Sequence, residues 1–254
     1  MLTIAHFSDI HLGQQHRRDR GRRARRRAEQ VMAYLDALPG PLDAVLVTGD
    51  LADHGLAAEY QQVVEVLDSR HPVLICPGNH DRRGPYREVL LGEAPTEEPV
   101  NRVHRLPGAD VLMLDSSIPE RDDGLLTDRT LDWLDAELTA GRSDLPALVA
   151  FHHPPVVLHL PTVDRIRQFE EERLAAVLHR HPRVAALFCG HSHTAAAASF
   201  AGLPLLVAPG VVSTVTLPCE GGRGISFGQP PMLAFHVLDD ERALTTHYRV
   251  VPQD

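Results

Sequence analysis

Residues 44–53 read Ala-Val-Leu-Val-Thr-Gly-Asp-Leu-Ala-Asp: a short apolar run that ends on a glycine and two aspartates. Four consecutive apolar residues are too few for a helix, and a following glycine and polar pair mark the point where a buried strand emerges into a loop. The same pattern recurs along the chain. Leu2–Phe7 leads into Asp9-Ile10-His11, and Val73–Cys76 leads into Gly78-Asn79-His80-Asp81. The apolar run 147–151 leads into His152-His153-Pro154-Pro155, and 185–189 leads into Gly190-His191-Ser192-His193. Helical periodicity intervenes at 57–67, 130–138 and 165–179, and an arginine-rich helix runs to Leu38 with Ala24, Ala28, Val31 and Leu35 on its buried face. Strands alternating with helices in this way predict a parallel α/β core with the chemistry at the carboxyl ends of the strands. Further strands are expected at 111–114 and 205–207, and an antiparallel hairpin around Asp239-Asp240 closes the chain. Without an internal repeat or a linker, 1–254 reads as one domain.

Composition removes several classes of function. The 254 residues are 43% hydrophobic and 23% charged, which suits a soluble globular protein. All 25 basic residues are arginine, so a lysine-dependent phosphate loop and any Schiff-base mechanism are excluded. Cys76, Cys189 and Cys219 are far apart and form no C-x-x-C pair, which supports neither a disulfide framework nor a thiolate zinc site. A reducing cytoplasm is the expected setting, with no export signal or membrane span. Eight arginines and one acid, Asp19, fall within residues 17–27, leaving 17 arginines against 33 acids elsewhere. That run reads either as a solvated helix face or as a polyanion patch; the first is favoured because no aromatic residue interleaves it. The glycine-rich segment 220–228 is the expected mobile loop, as a substrate lid or a plain connection.

Carboxylates and imidazoles converging in one crevice repel and desolvate one another unless a cation is present. Asp9, Asp50 and Asn79 supply three oxygens, and His11, His152, His191 and His193 supply four imidazoles. That is too many for one ion and suits two ions with Asp50 as a bridge. Oxygen and nitrogen donors without thiolate suit borderline-hard ions such as manganese, iron, cobalt or zinc.

The ordered set D-x-H, G-D-x-x-D, G-N-H-D, H-H-P-P and G-H-x-H resembles the calcineurin-like metallophosphoesterases, and within them the bacterial class III cyclic nucleotide phosphodiesterases. The resemblance runs from Ile4 to about Val215. It implies a four-layer αββα sandwich with two mixed central sheets. It also implies one metal held by Asp9, His11, Asp50 and His193 and another by Asp50, Asn79, His152 and His191, with His153 a neighbour and a homodimer as the oligomeric state. The similar purple acid phosphatases place a tyrosine where this chain has Asp53, so a purple enzyme is not expected, and Asp53 is read as orienting a ligand histidine.

The expected reaction is hydrolysis of a phosphodiester, 3′,5′-cyclic AMP first among substrates, with a metal-bound hydroxide as nucleophile. His80 is the candidate acid for the leaving oxygen, oriented by Asp53 or Asp81, unless it merely braces its turn. Arg82 and Arg83 are candidates for a substrate contact or for plain surface. Glycerophosphodiesters and phosphomonoesters are alternative substrates. A nuclease using the arginine run, or an inactive scaffold of the same fold, are weaker readings. The net charge of −9 disfavours the first, and the filled motif positions disfavour the second.

Overall fold

A computed structural model describes residues 1–15, 22–221 and 224–252. In chain order its elements are β1 (Leu2–Phe7), α1 (Arg22–Asp36), β2 (Ala44–Thr48), α2 (Ala57–Val66), β3 (Val73–Cys76) and the short α3 (Arg83–Tyr86). They continue with β4 (Arg102–Arg105), β5 (Asp110–Met113), β6 (Gly124–Leu125), α4 (Asp128–Ala140), β7 (Ala147–Ala150), β8 (Gln168–Phe169), α5 (Glu171–Leu178) and β9 (Val184–Cys189). The chain finishes through β10 (Ala196–Phe200), β11 (Leu203–Val207), β12 (Thr214–Val215), β13 (Ile225–Ser226), β14 (Met232–Leu238) and β15 (Leu244–Val250). One mixed sheet has the order β15-β14-β1-β2-β3 and the other β10-β11-β9-β7-β5-β4.

Strand periodicity explains the layering. In β1 and β2, Ile4, Ala44 and Leu46 face the second sheet, whose Met113, Leu148, Ala150 and Phe188 meet them in a buried seam. The alternate residues Ala5, Phe7, Val45 and Val47 face outward and are covered by α1 and α2 through Ala24, Ala28, Val31, Leu35, Tyr60 and Val63. On the far side, Leu112, Val149, Phe151 and Leu187 are covered by α4 and α5 through Leu131, Leu134, Leu174 and Leu178. Helix, sheet, sheet and helix form the expected four-layer sandwich. Each fully buried leucine or phenylalanine contributes about 2 kcal/mol, and parallel strands covered on both faces place their carboxyl ends along a single edge.

One expectation is corrected, and two strands are added to those expected. Residues 165–179 are not one helix: Val163–Ile166 is a 3-10 turn, β8 pairs with β6, Glu170 is left-handed, and only Glu171–Leu178 is α-helical. Tertiary pairing of Gln168 and Phe169 overrides a locally helical sequence. The edge strands β4 and β10 were not anticipated, and β10 opens with three alanines, which carry little strand propensity. What fixes β10 is its hairpin to β11, whose two turn residues, Ala201 and Gly202, have φ of 51° and 79°, as a type I′ turn requires.

The arginine run is only partly a solvated face. Arg17, Arg18, Asp19 and Arg20 lie outside the described residues. Arg25 pairs with Glu29 and Glu65, Arg23 donates to the carbonyl of Phe227, and Arg27 is buried, while Arg22 and Arg26 are exposed. Within the loop 220–228, residues 222 and 223 also lie outside the described residues. No helix among the described residues is long and apolar enough to cross a membrane.

Candidate metal centre

Five side chains at this edge sit on unusual backbone. Asp9, His11, Asp50, His191 and His193 all have positive φ, between 43° and 66°. Non-glycine residues rarely adopt this region, at about 1 kcal/mol or more each, and such strain concentrates at functional sites. Backbone hydrogen bonds hold it: Asp9 N–H donates to the Gly49 carbonyl at 3.2 Å and His11 N–H to the Asp50 carbonyl at 2.9 Å. Gly49 itself has φ of 94°, and a Cβ there would lie 2.4 Å from Nδ1 of His152.

The result is two facing groups that share one carboxylate. Oδ2 of Asp50 is 3.5 Å from Nε2 of His11, and Oδ1 of the same residue is 3.4 Å from Nε2 of His152. On the first side, Nε2 of His193 is 3.3 Å from Nε2 of His11 and 3.5 Å from Oδ1 of Asp9. On the second, Oδ1 of Asn79 is 3.2 Å from Nε2 of His152 and 3.1 Å from Nδ1 of His191. All seven motif residues therefore meet in one place.

The donor set fits metal ions. Asp9 is fully buried, yet neither of its carboxylate oxygens has a hydrogen-bond partner in the structure, and Nε2 of His191 is likewise unpartnered. Leaving a carboxylate so is destabilising by several kcal/mol. Three of the histidines are also aimed inward from behind. His11 Nδ1 is 3.1 Å from Oδ1 of Asp53, His152 Nδ1 donates to the Thr48 carbonyl at 2.6 Å, and His193 Nδ1 is 2.7 Å from the Ser213 hydroxyl. Each contact engages Nδ1 and turns Nε2 toward the cluster, the arrangement expected behind a metal-ligating imidazole. Ser213 carried no sequence signal, because it is a lone serine outside every motif.

In the metal-free cluster, burial and the neighbouring carboxylates pull the histidines in opposite directions. Burial lowers the pKa of His152, but Asp50 and Asp9 outweigh it and raise the group to about 9. Burial would raise Asp50, and His152 with His11 instead hold it well below the usual carboxylate range. Burial lowers His191 and His193, which keeps them as neutral donors.

The remaining expected residues separate. His153 lies beside the cluster but spends Nδ1 on Ser116 Oγ at 2.8 Å and Nε2 on the Asp122 carbonyl at 3.2 Å. Nδ1 of His80 donates to the Asp53 carbonyl at 2.8 Å, and the residue lines a cleft of about 780 Å³. Asp81 is placed differently from the expectation that it orients His80. Its oxygens accept from the amides of Leu51, Ala52 and Gly78 and from the Tyr60 hydroxyl, bracing the loop that carries Asp50. Burial, then Asp50, raise its pKa to about 6. Both Arg82 and Arg83 border the cleft, but Arg83 is buried on Asp115 and the carbonyls of Glu97 and Ser117, whereas Arg82 is exposed.

The calcineurin-like phosphoesterase family model matches residues 2–195. The chain belongs to that family. It is 36% identical over 98% of its length, and 83% of the relative's, to a probable cyclic nucleotide phosphodiesterase of Rhodococcus erythropolis (strain PR4 / NBRC 100887). It is 32% identical to the glycerophosphodiester phosphodiesterase GpdQ of Enterobacter lignolyticus (strain SCF1), over 92% of this chain and 86% of that one. Among solved structures, a dimetal phosphatase from Danio rerio superposes with a TM-score of 0.72 at 16% identity, covering 99% of this chain and 97% of that one, which attests the shared fold. The chain's place is among the phosphodiesterases of the family.

Proposed function

We propose that this chain is a two-metal phosphodiesterase. Asp9, His11, Asp50 and His193 would hold one ion, and Asp50, Asn79, His152 and His191 the other. The observation that carries this reading is Asp50, one oxygen turned to each histidine group, beside the carboxylate of Asp9, which accepts no hydrogen bond. Bound ions, iron or manganese by preference and zinc or cobalt as alternatives, supply Lewis-acid activation of water and neutralise charge on phosphate.

The chain's own residues do the rest. Asp53 orients His11 and, through its carbonyl, His80. A carbonyl only accepts, so Nδ1 of His80 carries the proton of that bond, and neutral His80 has no proton on Nε2. His80 therefore protonates a leaving oxygen only as the imidazolium, and it accepts a hydrogen bond at Nε2 otherwise. Asp81 acts at one remove, by holding the Asp50 loop.

For substrate, 3′,5′-cyclic nucleotides such as cyclic AMP come first, supported by the motif set and by the relatives' names. One observation favours glycerophosphodiesters as the second reading: the cleft is lined by His54, Arg82, Glu97, Ile118, Glu120 and Asp122 among others, and among the described residues it includes no phenylalanine, tyrosine or tryptophan on which a base would stack. Hydrolysis of 3′,5′- and 2′,3′-cyclic nucleotides, glycerophosphodiesters and phosphomonoesters side by side distinguishes the two. A preference for monoesters would contradict both. We place the enzyme in the cytoplasm, supported by three free cysteines, of which Cys219 is exposed.

A further inference from the structure

Arg27 is the odd residue of the arginine run. Its side chain is buried on the inner face of α1, yet among the described residues its hydrogen bonds run to backbone carbonyls and not to a carboxylate. Nη1 donates to the carbonyls of Val211 at 3.3 Å and Val212 at 2.9 Å, and Nη2 to those of Phe227 at 3.0 Å and Gln229 at 2.5 Å. A buried guanidinium is expensive to desolvate, so a fan of carbonyls that satisfies it also freezes the segments it touches.

The frozen segment leads directly to the metal centre. Val211 N–H donates to the Ser8 carbonyl at 2.9 Å and Val212 N–H to the Asp9 carbonyl at 3.3 Å. The next residue, Ser213, is 2% exposed and meets Nδ1 of His193 at 2.7 Å. The same turn thus touches two of the four residues of one proposed ion site, Asp9 by its backbone and His193 by its side chain.

We infer that Arg27 is a positioning residue for the ion site of Asp9, His11, Asp50 and His193: by gripping the carbonyls of Val211 and Val212 it sets the turn that presents Ser213 to His193. This inference rests on the two-metal reading. It also gives that arginine an internal role distinct from binding a polyanion. A planar five-donor fork reaches four carbonyls on two segments, which a lysine ammonium with three donors does not.

The test is titration of metal-free protein with Mn²⁺ alone, comparing wild type, Arg27→Met, Ser213→Ala and the double variant, with Arg27→Lys deciding if Arg27→Met does not fold. Wild type takes up two equivalents. In Arg27→Met one equivalent weakens about 10-fold while the other is unchanged, Ser213→Ala weakens the same equivalent, and the double variant is no weaker than Ser213→Ala. Two undisturbed equivalents in the Arg27 variant, or losses that multiply in the double variant, overturn the inference while leaving the two-metal reading intact. A wild-type protein that takes up no Mn²⁺ instead overturns the reading itself, and the inference with it.

Discussion

Oδ1 of Asp53 lies 3.1 Å from Nδ1 of His11, and this contact turns Nε2 of that ring toward Asp50. Gln14 donates to the same oxygen at 3.3 Å, so the carboxylate is itself held. Asp53→Asn keeps an acceptor of the same shape but loses the charge, and Asp53→Ala loses both. Metal affinity should fall in the order wild type, Asn, Ala, with the alanine variant about 10- to 100-fold weaker by competition with a chelating dye. Equal affinity in all three would remove Asp53 from the account.

Asp9 offers a second, opposite kind of evidence, because a buried carboxylate that accepts no hydrogen bond destabilises the metal-free fold. Asp9→Asn keeps a residue type that tolerates the left-handed backbone, at φ of 57°, and removes the charge. The metal-free variant should melt higher than metal-free wild type and gain less from added Mn²⁺. A lower melting temperature in the metal-free comparison would contradict the claim.

His80 is tested by leaving group. His80→Ala should slow hydrolysis of diesters with alkoxide leaving groups by about 100-fold or more, and of nitrophenyl esters by much less, since an activated phenolate needs no proton. Equal losses on both would make the residue a brace for its turn.

A pH dependence follows from the seam between the sheets. His6 Nδ1 is 3.0 Å from His236 Nε2, and both are buried; burial lowers His236 to about 3 and His6 well below its usual value. A histidine held neutral in the folded state binds fewer protons than in the unfolded chain, so its stabilisation is present above pH 6.5 and lost as pH falls toward 3. His236 alone should cost about 2 kcal/mol of stability at pH 5. Urea unfolding between pH 7 and pH 5 measures this. His236→Gln should flatten the slope, and an unchanged slope would show that other groups set it.

Much of the fold is legible because the central parallel strands β1, β2, β5, β7 and β9 are buried on both faces and therefore stand out as short apolar runs. The seven clustered residues were legible for a related reason, since each follows such a run by only a few residues, as Asp9 follows Phe7 and His152 follows Ala150. What could not be read depends on contacts between distant segments. Ser213 has meaning only through its approach to His193, Arg27 only through the carbonyls of Val211 and Val212, and β10 only through the turn at Ala201-Gly202. Asp81 misled for the same reason: adjacency to His80 in sequence suggested a partner, while the chain turns its carboxylate toward the Asp50 loop.

The most direct test of the two-metal reading is metal content measured together with activity. Protein purified without chelator should carry close to two equivalents of transition metal per chain. Stripping them should abolish diester hydrolysis, and restoring them should recover it. Undiminished hydrolysis by stripped protein, or saturation at a single equivalent with full activity, would contradict the claim that Asp50 bridges two ions.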